Sequence, residues 1–132
     1  YFPVFKRYGA GAAYIGTNAQ DDSNVVVYNL MTPASPPSTV ISAGLAAPTS
    51  SWATVDTESS DPTDDLDDID PANCHILYVR TASSSRDVTL KHNAATTNPI
   101  LLNTGADKTL SSINEIIVLI YQPASGFWIE PK

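Results

Sequence analysis

Glu115-Ile116-Ile117-Val118-Leu119-Ile120-Tyr121 is the stretch whose reading decides the fold. Side chains alternate across a strand, so Ile116, Val118 and Ile120 take one face and Ile117, Leu119 and Tyr121 the other. A strand with one wet face needs a single apolar set. Two sets predict cover from both sides, by a second sheet, another subunit or a large partner. A charge at Val118 is then expected to collapse the core or the assembly.

Working outward, residues 126–129 read as a strand that returns on this one across the turn Gln122-Pro123-Ala124-Ser125. Residues 74–81 and 86–92 read as strands joined like a hairpin by Ala82-Ser83-Ser84-Ser85, with Val88, Leu90 and His92 on one face. Residues 100–102 form a short strand before the turn 103–107, and Leu110 and Ile113 plug one end of the core. Residues 51–56 are a further strand. Asp61-Pro62-Thr63-Asp64 has the form of a helix start, with Asp61 as N-cap and Pro62 in the first turn. Leu66 and Ile69, three apart, then share one side of a turn or two that Pro71 ends.

Residues 1–51 have a different texture. Phe2, Phe5, Tyr8 and Tyr14 are scattered among glycines without a period, residues 24–30 form one candidate strand, and Pro33, Pro36 and Pro37 oppose ladder bonding. Aromatics at this density favour an extended arm ordered by lying on something else over a disordered tail. The expected fold is therefore all-β: an antiparallel β-sandwich, jelly-roll-like, over 52–132, with an extended N-terminal arm over 1–51.

Composition narrows the function classes. The 132 residues suit one domain with a real core. Fourteen acidic against seven basic residues give a net charge of −7, which repels nucleic acid and anionic membranes, and Lys6-Arg7 is the one adjacent basic pair. No nucleic-acid or membrane partner is expected, and no stretch is long enough to span a bilayer. Cys74 is the single cysteine, read as a buried thiol.

Candidate chemistry is thin. The acidic run Asp61, Asp64, Asp65, Asp67, Asp68 and Asp70 raises a calcium hypothesis, but it lacks the glycine and closing glutamate of an EF-hand loop. Its carboxylates are read as solvated. Cys74 and His75 are strand neighbours that point to opposite faces, and His92 and Asp87 fall on opposite sides, so neither pair makes a ligand set or a dyad. No serine lies in a Gly-x-Ser-x-Gly elbow. The expectation is no enzyme, no cofactor and no metal.

Aromatics carry the better clue. Trp52, Tyr78, Tyr121, Phe127 and Trp128 suit a core, a subunit contact or a sugar platform. Phe127 and Trp128 face opposite ways, so one is core and the other contact. A protein contact is favoured, with Phe2, Phe5, Tyr8, Tyr14, Val118, Ile120 and Trp128 as interface residues.

One resemblance adds to this reading. Asp64-Asp65-Leu66-Asp67-Asp68-Ile69, His75-Ile76-Leu77-Tyr78-Val79-Arg80, Arg86-Asp87-Val88-Thr89-Leu90-Lys91-His92 and Pro99-Ile100-Leu101-Leu102 follow one another in order. Ile117-Val118-Leu119-Ile120-Tyr121 and Trp128-Ile129-Glu130 close the series. Over residues 51–132 it resembles a β-domain of tailed-bacteriophage virion proteins, most of all capsid decoration (cement) proteins. The resemblance implies a homotrimer on the outer surface of the phage head, bridging major capsid protein subunits through its arm. The alternative it implies is a tail-fibre or spike adsorption module that binds host surface glycan, which predicts a concave groove containing an exposed Trp or Tyr beside Asp, Asn and Arg, and a first segment that joins a shaft. A third class, a bacterial cell-surface lectin or adhesin, fits the acidity and β texture.

Overall fold

The computed structural model describes residues 4–7, 13–16 and 38–132. Its strands are β1 (Val4–Arg7), β2 (Ala13–Gly16), β3 (Ser38–Val40), β4 (Leu45–Ala46), β5 (Trp52–Asp56), β6 (Thr63–Leu66) and β7 (Asp68–Ile69). There follow β8 (Ile76–Thr81), β9 (Asp87–Leu90), β10 (Ile100–Leu101), β11 (Lys108–Leu110), β12 (Ile117–Gln122) and β13 (Phe127–Ile129). β1 and β2 pair antiparallel, with Phe5 opposite Ile15. The candidate strand at 24–30, and Phe2 and Tyr8, lie outside the described residues.

From Ser38 the chain winds into a β-solenoid of about four stacked turns. β3, β5 and β8 stack parallel, with Ser38 on Thr54 and Thr54 on Arg80. β6 and β9 stack parallel on a second wall, Leu66 on Leu90, and β4 and β7 on a third, Ala46 on Ile69. The closing layer departs from this rule: β12 runs antiparallel to β8, β13 returns antiparallel on β12, and β10 lies parallel to β13. β11 likewise runs antiparallel on β9.

The antiparallel jelly-roll sandwich is thus overturned. Its prediction rested on alternating apolar residues, and these are the same whichever neighbour a strand finds. What decides the fold is the long-range step: Trp52 meets Tyr78 one full circuit later, in parallel. The proposed β8–β9 hairpin is corrected for the same reason. Ser83 and Arg86 do form a tight bridge, but it turns a corner, and the two strands then join different walls. Only the β12–β13 hairpin closes as expected, with Tyr121 opposite Trp128.

The expected helix at 61–70 is also corrected, since β6 and β7 occupy that stretch. Leu66 and Ile69 are both buried, but they reach the core from different walls. Their spacing of three is the step around the corner at Asp67 rather than along a helix face. Residues 38–51 likewise belong to the solenoid and not to an arm, because Ile41 and Ala46 are buried in its core.

Inward side chains stack in columns: Ala53, Val79 and Ile117 in one, Leu77 and Leu119 in the next. Leu66, Val88, Leu90 and Leu110 meet them from the second wall, and Ile69 and Ala46 from the third. Corners are fastened by buried threonines: Thr57 Oγ1 donates to the Asp61 carbonyl at 2.6 Å, and Thr81 Oγ1 to the Arg86 carbonyl at 2.6 Å. Arg86 adds a two-pronged bond to Asp56, at 2.6 and 2.9 Å. Ile113, expected to plug an end beside Leu110, is instead exposed.

Candidate functional site

The largest wall carries the most distinctive surface. On β5 and β8, Ala53, Val55, Leu77 and Val79 turn inward, so Trp52, Thr54, Tyr78 and Arg80 turn out. Parallel register sets Trp52 directly beside Tyr78 and Thr54 beside Arg80. The two rings stack, with centroids 6.0 Å apart and planes 22° from parallel. The Arg80 guanidinium sits over the Trp52 ring, 5.7 Å from its centroid. Its Nε donates to Thr54 Oγ1 at 3.3 Å and its Nη1 to the Ile113 carbonyl at 3.5 Å, which fixes the group in place. Tyr78 is 41% exposed, and Trp52 and Arg80 are half-buried.

Next to this cluster the wall is apolar. Val118 lies opposite Tyr78, and Ile76, Ile120, Ile129 and Leu101 form a row across four strands. β12 therefore does carry two apolar faces. Ile117 and Leu119 are buried inward, while Val118 and Ile120 are half-exposed on the outer surface.

Trp128 corrects the expectation that it is an interface residue. It is fully buried, and its indole Nε1 donates across the core to the Ile69 carbonyl at 2.8 Å. Phe127, its neighbour, is the half-exposed one. Phe5 and Tyr14 fall in β1 and β2, where the structure describes the backbone alone.

The acidic run is spent on separate tasks. Asp64 accepts from the Glu58 and Asp65 amides, Asp70 from the Ala72 amide and Asp68 from Asn98 Nδ2. Asp65 lies 3.9 Å from Lys91, which bonds Asp107 at 2.6 Å. Among the described residues no group of three or more His, Cys, Asp or Glu side chains is placed to hold a metal ion. Burial pushes the Cys74 thiol above its ordinary pKa, against a lowering bond from Ser51, which disfavours the nucleophilic thiolate. His92 Nδ1 accepts from the Leu102 amide at 3.0 Å, a bond that locks the loop rather than freeing a base. An open cleft of 390 Å³ lies against β3 and β4, between Thr39, Val40, Ser42 and Leu45, with no charged side chain in its lining.

No family model, curated protein or solved structure matches this chain. The resemblance to tailed-bacteriophage virion domains gains nothing from these comparisons, and the β-sandwich that supported it is replaced by a solenoid.

Trp52 and Tyr78 were legible as candidates from ring chemistry alone. Arg80 was not. Its only sequence signal is the two-residue spacing from Tyr78, and its place over Trp52 depends on a 26-residue register between β5 and β8.

Proposed function

We propose that this chain is a non-catalytic binding module for surface glycan, of the kind a fibre or spike presents. The observation that carries it is the outward Trp52–Tyr78 pair, set beside an anchored Arg80 on the outer face of β5 and β8. Sugars offer C–H faces to aromatic rings and hydroxyls to polar groups, so a pre-ordered ring pair with an adjacent donor suits them. Ladder hydrogen bonds and packed columns hold these side chains, which lowers the ordering cost of binding. Immobilised oligosaccharides probed with the chain, followed by titration calorimetry of those retained, test the reading. Trp52→Ala should weaken binding at least tenfold with the circular dichroism unchanged. Retention of no oligosaccharide, or unaltered affinity in that variant, overturns it.

A second reading, a homotrimeric subunit docked on a protein shell such as a capsid, is favoured by the apolar row Ile76, Ile120, Ile129 and Leu101. It calls for a trimer in sedimentation equilibrium that Ile120→Lys dissociates.

A further inference from the structure

We infer that the ligand of the Trp52–Tyr78 surface is an anionic saccharide, bearing carboxylate or sulfate, with Arg80 as its charge-recognising residue. The inference deepens the glycan reading and rests on it. Its basis is how charge is distributed over a chain of net charge −7. Arg86 is committed to Asp56, Lys91 to Asp107 and Lys108 to Glu130. Among the described residues Arg80 has no carboxylate partner, although it is held by two neutral acceptors and an aromatic ring.

The surroundings of Arg80 are equally selective. Outward positions on β5, β8, β12 and β13 are Trp52, Thr54, Asp56, Ile76, Tyr78, Arg80, Val118, Ile120, Gln122, Phe127 and Ile129 by strand alternation. Asp56 is the one carboxylate among them, and Arg86 neutralises it. The acidic run sits on β6, β7 and their corner, which belong to other walls. On these four strands an acidic protein thus carries no uncompensated carboxylate at an outward position, and a cation stands among them.

Donor geometry fits the same ligand. A guanidinium has five N–H groups. Nε and one Nη1 hydrogen are used on Thr54 and Ile113. The other three remain, including both on Nη2. A planar fork fixed from behind is suited to accept a carboxylate or sulfate oxygen pair, while the neighbouring rings take the sugar face. A neutral sugar would leave that cation without a counter-charge in the complex.

The test uses the whole chain and an array of neutral, carboxylated and sulfated oligosaccharides at equal density, then matched pairs in solution: hexagalacturonate against its methyl ester, and a sulfated oligosaccharide against its desulfated form. The expected result is at least tenfold preference for the charged member of one pair, shrinking as salt rises from 50 to 500 mM. Arg80→Gln should bring that ratio close to one by weakening the charged member far more than the neutral one, and Arg80→Lys should restore part of it. Trp52→Ala should weaken both members. Preferential binding of neutral sugars, or a ratio unchanged in Arg80→Gln, overturns the anionic inference and leaves the glycan reading standing. Retention of nothing on the array overturns both.

Discussion

Replacing Trp128 by Phe removes, among the described residues, the one side chain that hydrogen-bonds from the closing hairpin to the third wall of the solenoid. The indole is fully buried and its Nε1 donates to the Ile69 carbonyl at 2.8 Å. Phe keeps a ring in the site but leaves a void where the larger bicycle was. That loss costs about 2 kcal/mol, toward the low end for large-to-small core changes. Taking the indole donor away from a buried carbonyl adds about 1–2 kcal/mol. The sum, about 3–4 kcal/mol, is a large part of the 5–15 kcal/mol typical of a domain. With a urea slope of about 1–1.5 kcal/mol per molar, the unfolding midpoint should fall by about 2–4 M. Equilibrium unfolding followed by far-ultraviolet circular dichroism measures this. Trp52→Phe is the control and should cost under about 1 kcal/mol, since Trp52 is partly exposed and stays aromatic. The chain has two tryptophans, so each variant reports the other by fluorescence. The Trp52→Phe protein should emit further to the blue than the Trp128→Phe protein. A loss below about 1 kcal/mol for Trp128→Phe would refute the cross-core bond and the seating of β13 on which the closing layer depends.

Three further outcomes are expected. Val118→Asp, expected from the sequence to collapse the core or the assembly, should instead keep native circular dichroism, because Val118 is half-exposed and faces outward, while Leu119→Asp, aimed into the core, should abolish the folded signal; equal damage from the two would contradict their assignment to opposite faces. Burial chiefly, with repulsion from Asp70 and Asp67 and against a lowering bond from Asn98, holds the Asp68 carboxyl above its ordinary 3.8. A raised acid costs stability when ionised, so this cost is present at neutral pH and disappears as pH falls through the folded value toward 3.8. Asp68→Asn should therefore be more stable than the parent at pH 7 and lose that advantage near pH 3.8 in pH-resolved unfolding; no gain at pH 7 would count against it. Gly44 turns the first corner at φ +80°, and an added Cβ would lie 2.7 Å from Asp67 Oδ2. Gly44→Ala should cost about 1–2 kcal/mol from backbone handedness alone, and pairing it with Asp67→Ala should recover the part due to the clash.

Local elements were legible where alternation was strong and the partner lay close by. β5, β8, β9 and the β12–β13 hairpin fall where the sequence predicts strands, and the inward Val88 and Leu90 follow from the same pattern, while the buried Cys74 follows from its being the single cysteine. The winding was not legible because the coils differ in length. Ser38 meets Thr54 after 16 residues, whereas Trp52 meets Tyr78 after 26. Uneven coils leave no fixed repeat to find, and a Ser- or Asp-rich corner reads like a hairpin turn or a helix cap. Trp128 was misassigned for a related reason: alternation separates it from Phe127 but does not say which side the core is on. That choice was made by Ile69 on a distant wall.

The same winding explains how the proposed binding surface arises from residues with no local signature. Stacked strands lie about 4.8 Å apart, so outward side chains in register become neighbours at a spacing fixed by ladder hydrogen bonds. Trp52, Tyr78 and Val118 come from three layers of one wall, and Thr54 and Arg80 stand one row along. Each pair of outward residues is separated by a buried one that anchors the backbone beneath, as Leu77 and Val79 do for Tyr78 and Arg80. A change on this face therefore alters the surface chemistry while leaving the core columns intact. Acidic residues gathered on the other walls supply net charge without opposing an anionic ligand at Arg80. The division of labour between walls, more than any single side chain, is what would make an acidic solenoid compatible with the acidic sugar proposed as its ligand.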